Sequence, residues 1–263
     1  MLNAISFKIF FFVALSLLAS SSLAVQADTT VNTLPTPESD SLQNKTHAKP
    51  SFTLKPHTAT YSARFKKGIN IKGSGVRELK SLGNGEWLYR FDIDSLPVDI
   101  RESVKFIWQE DYFVQPTKYN YTRKGFFIKN KARSIVFDWN NRSANGQNNG
   151  NKWQLEVPLN ALDKLSYQLQ LLADISLNRK TMDYQITHKG RLEDSRFQKL
   201  KEETLQTKIG TQESIVVEKI RSPEKQRKTL LWFSKSNPLL LLRMYQQEKD
   251  GEEYEITIES FKQ

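Results

Sequence analysis

The chain has 263 residues and a formal charge of +10, with 39 Lys and Arg against 29 Asp and Glu, and no cysteine. Disulfides, thiol nucleophiles, thiolate metal sites and a lipid-modified N-terminal cysteine are thereby excluded. A chain of this size can bury a core without disulfides, so their lack fits export into a bacterial periplasm.

Residues 1–27 read as a secretory signal peptide. Lys8 precedes an apolar run from Ile9 to Ala19, and small residues follow up to Ala27, with cleavage expected after Ala27 or Ala24. The run is shorter than the roughly 20 apolar residues that cross a bilayer, so an uncleaved anchor is the weaker alternative. No later segment approaches that length; the leucines Leu239 to Leu242 stop at Arg243. The expected product is periplasmic, without a transmembrane segment. Removing residues 1–27 takes away one cation, Lys8, and leaves +9. Residues 28–56 are rich in Thr, Ser, Pro and Asn, hold only one aromatic, Phe52, and read as a disordered polar tether that also carries His47. A single β-rich domain is expected over residues 57–263.

From there apolar residues alternate with polar ones. The runs are Tyr61, Ala63 and Phe65; Trp87, Tyr89, Phe91 and Ile93; Val104, Phe106 and Trp108; Tyr119 and Tyr121; Ile135, Phe137 and Trp139; and Trp153, Leu155 and Val157. Gly68, Gly73, Gly75, Gly83, Gly85 and Gly125 mark turns between them, and Asn140 to Asn151 reads as a long polar loop. The period then changes to that of a helix over 161–177, with Asn160 as N-cap and Asp163 beside its positive end. Apolar residues surround most of that helix, so it should be covered. Strands resume with Met182, Tyr184 and Ile186, then residues 193–207, then Ile215, Val217 and Ile220, where the broken alternation suggests a bulge. Leu231 and Phe233 follow, then Leu240, Leu242 and Met244, the turn Lys249-Asp250-Gly251, and Tyr254, Ile256 and Ile258. The fold class is mainly β with one covering helix: a large curved antiparallel sheet, or incomplete β-barrel, of roughly eleven strands. The helix is expected to plug the concave face.

The run Asp163-Lys-Leu-Ser-Tyr-Gln-Leu-Gln-Leu171 resembles a specific exported bacterial family, domain of unknown function 3108. Met182-Asp-Tyr-Gln-Ile186, Glu202-Glu-Thr-Leu205, Trp232-Phe233 and Asp250-Gly-Glu-Glu-Tyr254 carry the same likeness. It covers most of the span from Tyr61 to Phe261, and its most specific parts are the helix start and the late Trp-Phe strand. The resemblance implies architecture and compartment, and no activity. The layout is also similar to the incomplete barrels of lipoprotein-carrier proteins, a likeness of fold alone.

Catalytic residues are sparse. His47 lies in the tether and His57 at the domain edge; His188 alone falls within the sheet, at a strand end where solvation is expected. One such histidine makes neither a metal cluster nor a triad. Asp163 and Asp174 on one helix stand about 16 Å apart, too far for joint acid–base work. Asp163 reads as a helix-start residue, and Ser166 has no neighbouring base. Asp92, Asp94 and Asp99 lack the glycine and glutamate of a calcium loop. Asp138 should face solvent, and Gly73-Ser74-Gly75 reads as a turn or bulge, not a phosphate loop. No cofactor, metal or catalytic residue is assigned. Aromatics and the helix offer an alternative to chemistry, an apolar lining. Trp87, Trp108, Leu165 and Leu169 are the candidates for binding a lipid or other amphiphile, against the plainer reading of an ordinary β core.

The basic tracts at Arg64–Lys67, Lys129–Arg133 and Lys225–Lys228 read first as solvated strand faces. An anionic envelope component, or a protein partner held on a basic surface, is the rival reading; export argues against nucleic acid. A hydrolase using Asp163 or Asp138 is the third and weakest reading.

Overall fold

The computed structural model describes residues 53–263, apart from 68, 97, 127, 180–181, 223–225 and 237–239. The signal peptide and all but the last residues of the tether fall outside the described residues. Fourteen strands form one antiparallel sheet: β1 (His57–Lys67), β2 (Ile69–Gly83), β3 (Glu86–Ser95), β4 (Val98–Trp108), β5 (Val114–Gly125), β6 (Lys131–Asp138), β7 (Ser143–Asn148), β8 (Asn151–Glu156), β9 (Met182–His188), β10 (Arg191–Thr207), β11 (Gly210–Ile220), β12 (Lys228–Ser234), β13 (Leu241–Gln247) and β14 (Glu253–Lys262). One helix, α1 (Ser166–Ser176), joins β8 to β9.

The strand order is 8-7-6-5-4-3-2-1-14-13-12-11-10-9. Two meanders therefore meet where β1 pairs with β14, and the sheet is left open with β8 and β9 as its edges. Consecutive antiparallel strands place their turns alternately at the two ends of the sheet. One end carries the turns after β2, β4, β6, β10 and β12. The other carries those after β1, β3, β5, β7, β9, β11 and β13.

The count of fourteen corrects the expected eleven or so, and the differences are local. Gly73 and Gly75 lie within β2 and are not turn residues. A Cβ on Gly73 would come within 2.6 Å of the Asp94 carbonyl, and one on Gly75 within 3.1 Å of the Phe91 ring. These glycines let β2 approach β3 closely, which removes the alternation that marks a strand. The polar run 140–151 also folds as sheet. Ser143 to Asn148 form β7, and Asn149, with a φ of 50°, and Gly150, at 90°, make a tight hairpin into β8. The bulge sits one strand from its expected place: the β10–β11 register shifts between Lys199 and Lys201 and leaves Leu200 unpaired in β10.

The helix is shorter than residues 161–177, and its cap is not Asn160. Asp163 Oδ1 accepts the backbone N–H groups of Leu165 (2.8 Å) and Ser166 (2.9 Å), while the Asp163 N–H donates to Ser166 Oγ (2.8 Å). This reciprocal arrangement satisfies three polar groups at the helix start. The segment before it runs alongside β9 and covers that edge: the Leu162 N–H donates to the Gln185 carbonyl and the Thr187 N–H to the Leu162 carbonyl. Residues 161–174 are all buried, as the all-round apolar pattern requires.

The core lies on the inner face of the sheet, in rows that cross the strands. Leu79, Tyr89, Val104, Tyr119 and Ile135 form one such row over β2 to β6. The outer face carries ion pairs, including Arg90–Asp92, Arg64–Glu255 and Lys66–Glu253. The basic tract at Arg64–Lys66 is thus a solvated strand face. Among the described residues no helix is long and apolar enough to cross a membrane.

Candidate functional site

The helix occupies one end of the concave face. Gln170 donates to the Tyr112 carbonyl (3.2 Å) in the turn after β4, and its Oε1 accepts the Val114 N–H (2.7 Å). Asp174 accepts from Tyr184 Oη (2.7 Å) at the start of β9. Farther along, Gln168 Oε1 accepts from Arg77 (2.9 Å), and Tyr167 stacks on Phe197 with ring centroids 5.4 Å apart. The helix N-terminus points toward the opposite end of the sheet.

The four candidate lining residues divide. Leu165 and Leu169 have no accessible surface and belong to the packed layer under the helix. Trp87 and Trp108 are half-buried and share the inner rows of β3 and β4, at the helix end, where Trp108 meets Tyr112. None of the four lies near the opposite end, which we call the mouth.

The inner face changes character toward the mouth. The row next to the apolar one reads Arg77, Phe91, Glu102, Tyr121 and Arg133 across β2 to β6. Arg77 is buried, donates to Tyr89 Oη (2.7 Å) and lies 4.2 Å from the centre of the Phe91 ring. Glu102 accepts from Tyr119 Oη (2.5 Å), and burial raises its carboxyl to about 7 despite that bond. Asp163 is raised to about 6, again by burial, against the pull of its helix-cap hydrogen bonds, and its Oδ2 has no hydrogen-bond partner. The next row toward the mouth carries two further cations: Arg123 and Lys131 face each other across β5 and β6. Lys189, in the turn after β9, is lowered to about 8 by burial and by the charges of Arg133 and Lys131.

The remaining cations come from β10, β11 and the helix entry. Lys164 and Glu193 form a buried ion pair at 2.6 Å. Lys219, the penultimate residue of β11, donates to Ser195 Oγ (2.8 Å) and lies 5.5 Å from the centre of the Phe197 ring. Burial, with Lys164 and Arg221 nearby, lowers its ammonium to about 6. Arg227 pairs with Glu248. Lys131 and Arg133 in one basic tract and Arg227 in another are therefore drawn inward, unlike the solvated faces expected of those tracts; Lys225 lies outside the described residues.

His188 is buried, not solvated, and its Nε2 has no hydrogen-bond partner. Burial, with Lys164 and Arg133 nearby, holds it far below the usual histidine range, so it stays neutral. Ser166 serves the helix cap. The Asp138 carboxylate faces solvent as expected and accepts from Asn141. Sequence reading missed Arg77, Glu102 and Lys219. Alternation offered a signal for two of them: Glu102 continues Ile100 and Val104, and Lys219 continues Val217.

Comparison with known proteins follows this geometry. The model of the family "Protein of unknown function (DUF3108)" matches residues 91–259, and the chain belongs to that family. No curated protein matches it. Among solved structures, the β-barrel-like DUF1849 protein of Brucella abortus is similar, with a TM-score of 0.55 at 8% identity over 81% of this chain and 99% of that one. A candidate exported protein with a YmcC-like fold from Bacteroides fragilis aligns with a TM-score of 0.33 at 9% identity, covering 79% and 95% of the two chains. A candidate outer membrane lipoprotein-sorting protein domain from Vibrio parahaemolyticus gives 0.19 at 13% identity, covering 79% and 84%.

Proposed function

We propose that this DUF3108 protein is a non-enzymatic, periplasmic cell-envelope protein that binds an apolar or amphiphilic ligand between the curved sheet and its helix. The observation that carries this reading is the mismatch between the helix and the sheet it covers. Eleven helical residues extend about 16 Å. Strands such as β2, with 15 residues, extend about 50 Å along their own direction, and considerably more than the helix even when tilted. The helix fills the concave face at one end only. Beyond it the inner face continues with buried apolar side chains, Phe65, Ile93, Ile100, Tyr121 and Tyr254, mixed with half-buried polar ones, Glu102 and Arg133. An apolar wall with a few directed polar groups is the usual composition of a ligand site.

Native mass spectrometry of the protein after mild extraction tests the reading. A co-purifying lipid mass, displaced by a fluorescent alkyl probe, is the expected result. Protein that carries no such mass and takes up no probe would overturn it.

A further inference from the structure

We propose that the mouth of the sheet holds a site for a phosphate monoester, built on Lys219 and Arg221, which receives the anionic head of an amphiphile whose chain lies in the concave face. The inference rests on the preceding reading for the chain, and on separate observations for the head. Four cations converge on the inner ends of β10, β11 and β12: Lys164, Lys219, Arg221 and Arg227. Glu193 pairs with both Lys164 and Arg191, Glu248 pairs with Arg227, and Glu218 stands near Arg221. The Lys219 ammonium takes part in none of these ion pairs, and a phosphate monoester dianion arriving beside it and Arg221 would draw a proton onto it.

Lys219 and Arg221 are held as a binding site requires. The Lys219 ammonium meets a neutral hydroxyl, Ser195 Oγ, at 2.8 Å. The Arg221 Nη1 atom is buried with no hydrogen-bond partner. Both residues are half-buried. A buried guanidinium nitrogen without a hydrogen-bond partner is costly, and natural folds seldom keep one unless it works. Lowered proton affinity follows from the same crowding: Lys219 sits at about 6 and Arg221 at about 10, each through burial first and neighbouring cations second. A dianion between them would relieve both.

Dodecyl phosphate, dodecanol and inorganic phosphate, each titrated against the full chain after signal removal, separate the possibilities. Dodecyl phosphate is expected to bind about tenfold more tightly than dodecanol, one decade for a charge-assisted contact. Lys219→Met and Arg221→Gln should erase that preference and leave dodecanol binding unchanged; unchanged dodecanol affinity also certifies their fold. Equal affinity of both ligands for the native protein would overturn the head site and leave the apolar site standing. Inorganic phosphate that binds in the native protein and not in Lys219→Met, with neither alkyl ligand bound, would support the anion site as one for free phosphate and overturn the apolar reading. No binding of any of the three would overturn both.

Discussion

Single residues on the inner face carry most of the consequences of this fold. Arg77 is enclosed by Tyr61, Tyr89 and Phe91 and donates to Tyr89 and Gln168, so it ties β2 and β3 to the helix. Removing it leaves Gln168 Oε1 and Tyr89 Oη with lost partners in a buried place. Arg77→Met is expected to destabilise the protein by about 3 kcal/mol in urea denaturation. The titrating groups make a second prediction. Glu102 and Asp163 are raised to about 7 and about 6 in the folded protein, by burial first, and the Asp163 charge adds to the rise at Glu102. At these two carboxyls the folded state holds more protons than the unfolded chain between about pH 4 and 7, against one fewer at His188 below about 6.5, so the carboxyl contribution to stability falls as pH rises through that range. Lys219 acts in the opposite sense. Its folded value of about 6 lies below the ordinary 10.5, so the unfolded chain holds the extra proton, and stability rises with pH above about 6. The groups facing Lys219 are Lys164 at the helix entry, Glu193 and Ser195 on β10, Arg221 after β11 and Arg227 before β12. A melting-temperature profile should show a shallow minimum near pH 6 to 7, with Glu102→Gln flattening its acid limb and Lys219→Met its alkaline limb.

At the scale of elements, the helix and most of the strands were legible and the glycine-rich strands were not. The all-round apolar pattern of residues 161–177 required a covered helix, and residues 161–174 are buried accordingly. Its start was displaced because Asp163 can cap only if the chain before it lies along β9, a tertiary condition that local sequence does not express. The strands β2 and β7 escaped because their glycines answer to neighbours and not to propensity. Gly146 in β7 shows this: a Cβ there would fall 2.2 Å from the Trp153 ring on β8 and 2.7 Å from the Ser134 carbonyl on β6. Gly146→Ala must push the indole aside or part β6 from β7. A loss of about 2 kcal/mol is expected in urea denaturation, within the cost usual for overpacking, along with faster tryptic cleavage at Lys152. A variant as stable and resistant as the parent would show that the indole can move at little cost. The candidate site was less legible than the fold, since Lys164 and Glu193 lie far in sequence from Lys219 and Arg221 and meet them only through the order of β9 to β12.

The whole molecule is governed by an opening in an otherwise continuous sheet. Thirteen strand pairs follow one another, yet no pairing joins β8 to β9. The helix entry covers the β9 edge through Leu162, while the β8 side meets the turn after β9 through a side chain. The Trp153 indole lies so close to Gly190 that a Cβ on that glycine would be 3.1 Å from it. A side-chain contact of this kind resists opening far less than a hydrogen-bonded ladder, so the seam is the place where a sheet of this topology yields first. Trp153→Ala removes the contact and leaves every ladder intact. Amide exchange should accelerate in β8 and in the turn after β9, while β1 to β4, each paired on both sides, keep the protection of the parent. If the curved sheet holds an alkyl chain, the same variant should release it faster without a matching change in the association rate. Uniform acceleration across all strands would instead make Trp153 a part of the global core and the seam no weaker than the rest.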